Sequence, residues 1–323
     1  MKITRFVALS GLAGFLAVAS LAVSAAPAQA QATRTFVSGV GNDADPCSRT
    51  APCRTFAGAF NKTAPGGEIN CLDPGGYGGL TINKSISIVC TYTEGGSLVA
   101  GAGVNGITVN AGTTDSVFLR GIDFHGATTA TNGLRILAGG SVHLQDSVIR
   151  RFNASSGLGI RITPSTATRV TIVDTTIESN GSGATGGGIL VQPTGAGGSA
   201  RVLLNRVTLA NNANNALHVD TTGGSNAAGV TVVVRDSTFS GSSNGIHFFT
   251  PVGGTAATAM ITDSLVFNNT TNGILGNGAN VRVRVARTTI TGNNVGVNPG
   301  GSSNVNDLGG NLLIGNTNNN TFN

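Results

Sequence analysis

Residues 236–248 read "DSTFSGSSNGIHF", and two short patterns meet in them. The first half closes "VVVRDSTF" at 232–239, which runs apolar-x-apolar-x-[Asp/Arg/Gly]-x-x-apolar. Its copies are "VFLRGIDF" at 117–124, "VHLQDSVI" at 142–149, "VTIVDTTI" at 170–177, "VLLNRVTL" at 202–209, "AMITDSLV" at 259–266 and "VRVARTTI" at 283–290. The second half contains "GIHF" at 245, a Gly-[Ile/Leu]-x-apolar pattern. It recurs as "GITV" at 106, "GLRI" at 133, "GIRI" at 159, "GILV" at 188, "ALHV" at 216 and "GILG" at 273. The first pattern ends on Phe124, Ile149, Ile177, Leu209, Phe239, Val266 and Ile290, a span of 166 residues over six intervals, or about 28 residues per repeat.

Alternation of apolar and polar residues is the period of a β-strand, and no helix-length 3.6-residue pattern occurs in the body of the chain. A single short strand cannot bury its apolar face. Stacked repeats bury one face of every strand in a continuous core. The predicted fold is therefore all-β: a single-stranded right-handed parallel β-helix of roughly nine to ten coils over residues 67–315. A β-sandwich also has short, evenly spaced strands, but does not return the same residue types to the same place in every repeat. Abundant glycine (49 residues) and frequent Asn, Ser and Thr could mean a disordered linker, but the regular apolar residues argue otherwise.

Residues 1–30 are expected to be a secretory signal peptide. Lys2 and Arg5 form a positive start, Val7 to Val23 is apolar, and "APAQA" offers cleavage after Ala30. The alternative, a membrane anchor, needs a longer and less Ala-rich run. Without Lys2 and Arg5 the net charge falls from +5 to +3, and no basic run or basic–aromatic cluster points to nucleic acid. The four cysteines, Cys47, Cys53, Cys71 and Cys90, form an even, clustered set in an exported chain. Disulfides Cys47–Cys53 and Cys71–Cys90 are the preferred pairing of three; a four-thiolate zinc site is the alternative, and the spacing lacks a CxxC pair. Residues 31–66 are expected to cap the solenoid. "RTFAGAFNKTA" places Phe56 and Phe60 four apart on one face of a short helix, which would cover the open end of the core. Residues 316–323, after the last apolar pattern, form a loose tail or thin cap, and no other segment is apolar enough to span a membrane.

With this repeat, and with "DADPCSRTAPCRTFAGAFNKTAPGGEINCLDPGGYGGLTINKSISIVC" ahead of it, the chain resembles the right-handed β-helix (pectin-lyase-like) superfamily over nearly all of its mature length. That resemblance implies the fold and export. It implies activity only weakly, because the superfamily holds lyases, hydrolases, tailspikes and adhesins. It also implies that the Gly-Ile-x-apolar strand faces a polysaccharide groove.

Alternation places Thr108, Arg135, Arg161, Leu190, His218, His247, Leu275 and Asn298 on that outward face. Asn110, Leu137, Thr163, Gln192, Asp220, Phe249 and Asn277 follow two residues on. Arg135 and Arg161 should be neighbours and suit carboxylate or sulfate groups. His218 and His247 should be neighbours too, as candidate acid–base groups, with Asp220 placed to orient them or raise their pKa. The alternative is a solvated strand with no ligand. Departures from known enzymes are specific. Asp220 is the one acid where calcium-dependent pectate lyases carry several, the motif set of polygalacturonase-like hydrolases is absent, and no Lys follows Lys84. Hydrolysis needs two spaced carboxyls, so elimination is the better enzymatic form if the chain is an enzyme.

A second column holds Asp146, Asp174, Arg206, Asp236, Asp263 and Arg287, preceded by Gly121. It falls at a corner between strands, where Asn commonly stacks in this superfamily. Asp tolerates the tight backbone there, and the interleaved arginines reduce repulsion. The resulting expectation is an exported β-helix protein that binds, and as an extension cleaves by β-elimination, an extracellular anionic polysaccharide or cell-envelope glycan. It needs no cofactor, metal or nucleic acid. The alternative is a non-catalytic surface, matrix or adhesin-like scaffold. The C-terminal sequence lacks a barrel-forming region or sorting signal, which favours a secreted or periplasmic protein.

Overall fold

The computed structural model describes residues 31–91, 93–319 and 322–323. The expected signal peptide, residues 1–30, lies outside the described residues. The described chain is a parallel β-helix of about nine turns. One wall is a nine-stranded parallel sheet of Leu80–Ile82, Asn105–Asn110, Asn132–Ala138, Leu158–Ile162, Gly187–Val191, Asn215–Asp220, Asn244–Phe249, Asn272–Asn277 and Val295–Gly300. The remaining walls belong to one 19-stranded sheet. In five turns a five- or six-residue strand such as Val230–Arg235 is followed, past a corner, by a three-residue strand such as Thr238–Ser240, and in two others one 12-residue strand, Ala167–Glu178 or Ser199–Ala210, runs through the corner.

The core is made of columns, each residue stacking on its counterpart one turn away. The closing residues of the first pattern form one such column: Phe124, Ile149, Ile177, Leu209, Phe239, Val266 and Ile290 pair rung to rung and are fully buried. The apolar residue after the glycine of the second pattern forms another, from Ile107 through Leu134, Ile160, Ile189, Leu217, Ile246 and Ile274 to Val297. The glycine itself has a packing cause. A Cβ on Gly133, Gly188 or Gly273 would stand 2.6, 2.4 or 2.5 Å from the carbonyl oxygen of the next turn. Real Cβ atoms do not approach backbone so closely, so these three strand entries are kept bare of a side chain, whereas the Asn215–Asp220 strand admits the small Ala216.

The Asp/Arg column sits at the corner between the long and short strands. Gly121, Asp146, Asp174, Arg206, Asp236, Asp263 and Arg287 all have φ between 47° and 70°. Asp tolerates this left-handed backbone better than most residues. Arg206 and Arg287 are less suited to it; each forks onto the carboxylate one turn below, Arg206 on Asp174 at 2.5 and 2.8 Å and Arg287 on Asp263 at 2.7 and 2.8 Å. These arginines hold the pKa values of Asp174 and Asp263 below the usual carboxylate value. Within the column Arg206 and Arg287 thus form ion-pair rungs with Asp174 and Asp263. The residue after it is most often Ser or Thr, whose hydroxyl bonds the carbonyl two residues back, as in Ser237 and Ser264.

Asn stacking occurs six residues further on, not in this column. Asn180 donates from its side chain to Asn212 at 3.1 Å, Asn269 to Asn293 at 2.9 Å and Asn293 to Asn316 at 2.9 Å. The same carbonyl oxygens accept backbone N–H groups of the adjoining turn, so this buried corner leaves few backbone donors orphaned. The left-handed corner is exposed enough for Asp and Arg, whereas the Asn corner turns inward and needs a neutral donor–acceptor.

The N-terminal end is closed as its sequence predicts. The helix Phe56–Lys62 is capped by the Thr55 hydroxyl, which accepts from Gly58 N at 3.0 Å, and it buries Phe56, Ala59 and Phe60. Lys84 lies 4.3 Å over the Phe60 ring. Ala32–Val37 pairs in parallel with Thr63–Cys71, so solenoid pairing begins ahead of the helix. Cys47 and Cys53 are bonded, as are Cys71 and Cys90, which excludes the four-thiolate zinc site. At the other end, Asn323 bonds Ser303 and Val305 and Phe322 packs on the core, which makes the described part of the tail a thin cap.

Candidate functional site

The outward face of the nine-stranded sheet carries its predicted column in register. Thr81, Thr108, Arg135, Arg161, Leu190, His218, His247, Leu275 and Asn298 pair rung to rung. The second column departs from prediction at one point. Asn110 pairs with Ala138 rather than Leu137, because a bulge between Ile136 and Ala138 adds a residue before the Gly139–Gly140 turn.

Arg135 and Arg161 are adjacent, about 4.8 Å apart along the ladder. Neither belongs to any ion pair among the described residues, whereas six other arginines do. Their Nε–H groups are buried and have no hydrogen-bond partner. Burial, and then the neighbouring Arg135, lowers the pKa of Arg161. A desolvated cation facing a like charge is costly, and an anion bridging the two would relieve both terms.

His218 and His247 stack face to face, with ring centroids 4.6 Å apart and planes 5° from parallel. Both ring nitrogens of His247 and Nε2 of His218 are buried without a hydrogen-bond partner. Burial lowers both pKa values, for His247 to about 4, with the neighbouring His218 as a further cause and Asp220 opposing. The pair is therefore neutral at pH 7. It can accept a proton but has none to spare as an imidazolium. Asp220 is held elsewhere: its carboxylate accepts from Gln192 Nε2 at 2.7 Å and Thr222 N at 2.8 Å.

Arg161, His218, Asp220, Gln192 and Leu190 line one cavity of about 340 Å³. Its far wall comes from the loops ahead of the strands, through Ser156, Ala184 and Thr185, with Thr185 Oγ1 bonded to Ser156 Oγ at 3.0 Å. Sequence columns did not reveal these wall residues. The pairing of Gln192 with Asp220 was readable, because both occupy the second outward column on consecutive turns. Phe249 faces a separate, less polar hollow of about 580 Å³ with Pro251, Val252 and Asn280.

The neutral histidines make stability pH-dependent. Unfolding restores their ordinary affinity for protons, so the unfolded state binds more protons than the folded state below about pH 6.5, and stability falls toward pH 4. His125 is shifted the same way by burial and contributes in the same window. The lowered carboxylates, Asp43 and Asp115 among them, act below it, losing their stabilisation as pH drops under 3.8. Urea midpoints at pH 7 and pH 4.5 are expected to differ less in a His218→Phe/His247→Phe variant than in the parent protein. Equal differences would contradict the assignment.

No protein-family model and no curated protein matches the chain. Among solved structures, pectate lyase Pel9A superposes with a TM-score of 0.60 at 17% identity, over 85% of this chain and 74% of its own. The Dettilon tailspike protein gives 0.45 at 17% identity over 70% and 43%, and a rhamnogalacturonan lyase gives 0.42 at 12% identity over 79% and 67%. The chain has the pectin-lyase-like right-handed parallel β-helix fold.

Proposed function

We propose that the groove of the nine-stranded sheet binds an acidic polysaccharide outside the cytoplasm. The observation that carries this reading is the Arg135–Arg161 pair: two adjacent, half-buried guanidiniums with no carboxylate on either among the described residues. Guanidiniums fork onto carboxylates and sulfates, and a linear polymer can lie along the ladder of turns. The expected signal peptide and the two disulfides fit an oxidising compartment. Among the described residues no helix is long and apolar enough to cross a membrane.

The same groove supports elimination better than hydrolysis. A neutral imidazole of the His218–His247 pair would take the proton from the carbon beside a uronate carboxylate, with the arginines holding the developing charge. The C–O bond to the leaving sugar then breaks, its oxygen takes a proton from water, and an unsaturated product remains. One observation favours the non-catalytic alternative: Asp220 bonds Gln192 and Thr222 and leaves the histidines without an orienting carboxylate.

The test is to pass the purified protein over immobilised polygalacturonate, alginate and neutral dextran while following ultraviolet absorbance of unsaturated products. Retention on a uronate polymer and not on dextran is expected. Absorbance growth that disappears in His218→Ala/His247→Ala would add lyase activity, and retention without it would leave a recognition module. Equal behaviour on all three polymers would remove the proposal.

A further inference from the structure

The 19-stranded sheet has an outward face of its own, and its charge is one-sided. On the long strands from Ser116–Arg120 to Asn304–Asp307, one outward column runs Ser116, Ser141, Arg169, Arg201, Thr231, Thr258, Arg282, Asn304. The next runs Phe118, His143, Thr171, Leu203, Val233, Met260, Arg284, Asn306, and the third from Arg120 through Arg235 to Ala286. No Asp or Glu stands in any of the three. Arg120 and Arg235 are neutralised at the corner by Asp146 and Asp236. Arg169, Arg201, Arg282 and Arg284 are exposed and in no ion pair among the described residues. Arg169 and Arg201 sit on consecutive turns and line a hollow of about 390 Å³ with Thr113, Thr168 and Ser199. Arg282 continues the same column three turns on, about 14 Å away.

We propose that this face is a second polyanion-binding surface, and that one molecule thereby bridges two acidic polysaccharide chains. The ligand class rests on the reading of the first groove. Both sheets turn their inner faces into one core, so their outward faces address different regions of solvent, and one chain lying along the axis cannot occupy both. A polymer suits the second face because its free cations form a track along the axis rather than a single pocket. In the column between them Phe118, Leu203 and Met260 are partly buried and Val233 stands exposed by itself, which gives a lipid surface little apolar area to take up.

The test mixes the purified protein with polygalacturonate and follows light scattering, alongside retention on immobilised polymer. The parent protein is expected to raise scattering well above that of polymer alone. Arg169→Gln/Arg201→Gln/Arg282→Gln/Arg284→Gln is expected to stay bound through the first groove but to scatter like polymer alone. Arg135→Gln/Arg161→Gln is expected to lose scattering while keeping weak, salt-sensitive retention through the second face. All six changes together should abolish retention. All six arginines lie outside ion pairs among the described residues, and an unchanged far-ultraviolet melting curve confirms each variant is folded. Scattering by the fourfold variant equal to that of the parent overturns the inference, as does complete loss of retention in Arg135→Gln/Arg161→Gln alone, which leaves the first groove standing. Absence of retention in the parent protein fails both. Fourfold-variant loss confined to vesicles of phosphatidylcholine with phosphatidylglycerol assigns the face to lipid instead, and overturns the polysaccharide partner.

Discussion

Replacing Arg135 and Arg161 together by Gln is expected to weaken binding to polygalacturonate at the first groove by roughly 10²- to 10⁴-fold. Each hydrogen-bonded charge contributes about 1.5–3 kcal/mol, and about 1.4 kcal/mol is tenfold. The loss should appear mainly as faster dissociation, and the parent's salt dependence should flatten as the paired charges are removed. Thermal stability should not fall, because the two guanidiniums oppose each other and neither holds a carboxylate among the described residues. That combination separates a ligand site from a structural pair. Substituting Arg206, which does hold Asp174, should leave polymer binding unchanged. A double variant that binds within threefold of the parent, measured by surface-immobilised polymer titration, would remove the arginines from the site.

Phe239→Ala is expected to destabilise the protein by about 3–5 kcal/mol, the range for a large aromatic removed from a packed core. Phe239 is fully buried, stacked between Leu209 and Val266, and its carbonyl accepts from the ladder residue Asn269 at 3.2 Å. In a solenoid each turn contacts only its neighbours, so a cavity in one turn weakens two interfaces and cannot be shared across a globular core. Phe118→Ala, on the outside of the long sheet, removes the same side chain from a partly exposed position and should cost about 1 kcal/mol or less. Urea unfolding of the two variants checks the contrast. A loss at Phe239 below about 1 kcal/mol would show that the column is not packed as described.

The fold was legible because one residue period was enforced by one physical need. A turn that must stack on the next must return an apolar residue to the same column, and the seven residues from Phe124 to Ile290 do so at intervals of 24 to 32 residues. The lengths vary because the turns between strands absorb the difference. The outward column of the groove followed from alternation alone, including the adjacency of Arg135 to Arg161 and of His218 to His247. The Asn ladder was not legible. Its members from Asn180 to Asn316 lie in turns already rich in Asn, Gly and Ser, and only the backbone path decides which amide turns inward. Alternation places Asp220 to orient the histidines or raise their pKa; its charge does act to raise them, while its hydrogen bonds go to other groups. Same-strand neighbours two residues apart look closest in sequence, yet the adjacent turn brings Gln192 within hydrogen-bond distance first. The loop wall at Ser156 and Thr185 belongs to segments without a repeat, so no column could place it.

The most direct measurement is a crystal structure of the protein with a trigalacturonate. The oligosaccharide is expected along the nine-stranded sheet, with a carboxylate forked by Arg135 and Arg161 and a sugar ring beside the His218–His247 stack. An oligosaccharide bound elsewhere with this groove unliganded at saturating concentration would overturn the assignment of the groove as the polysaccharide site.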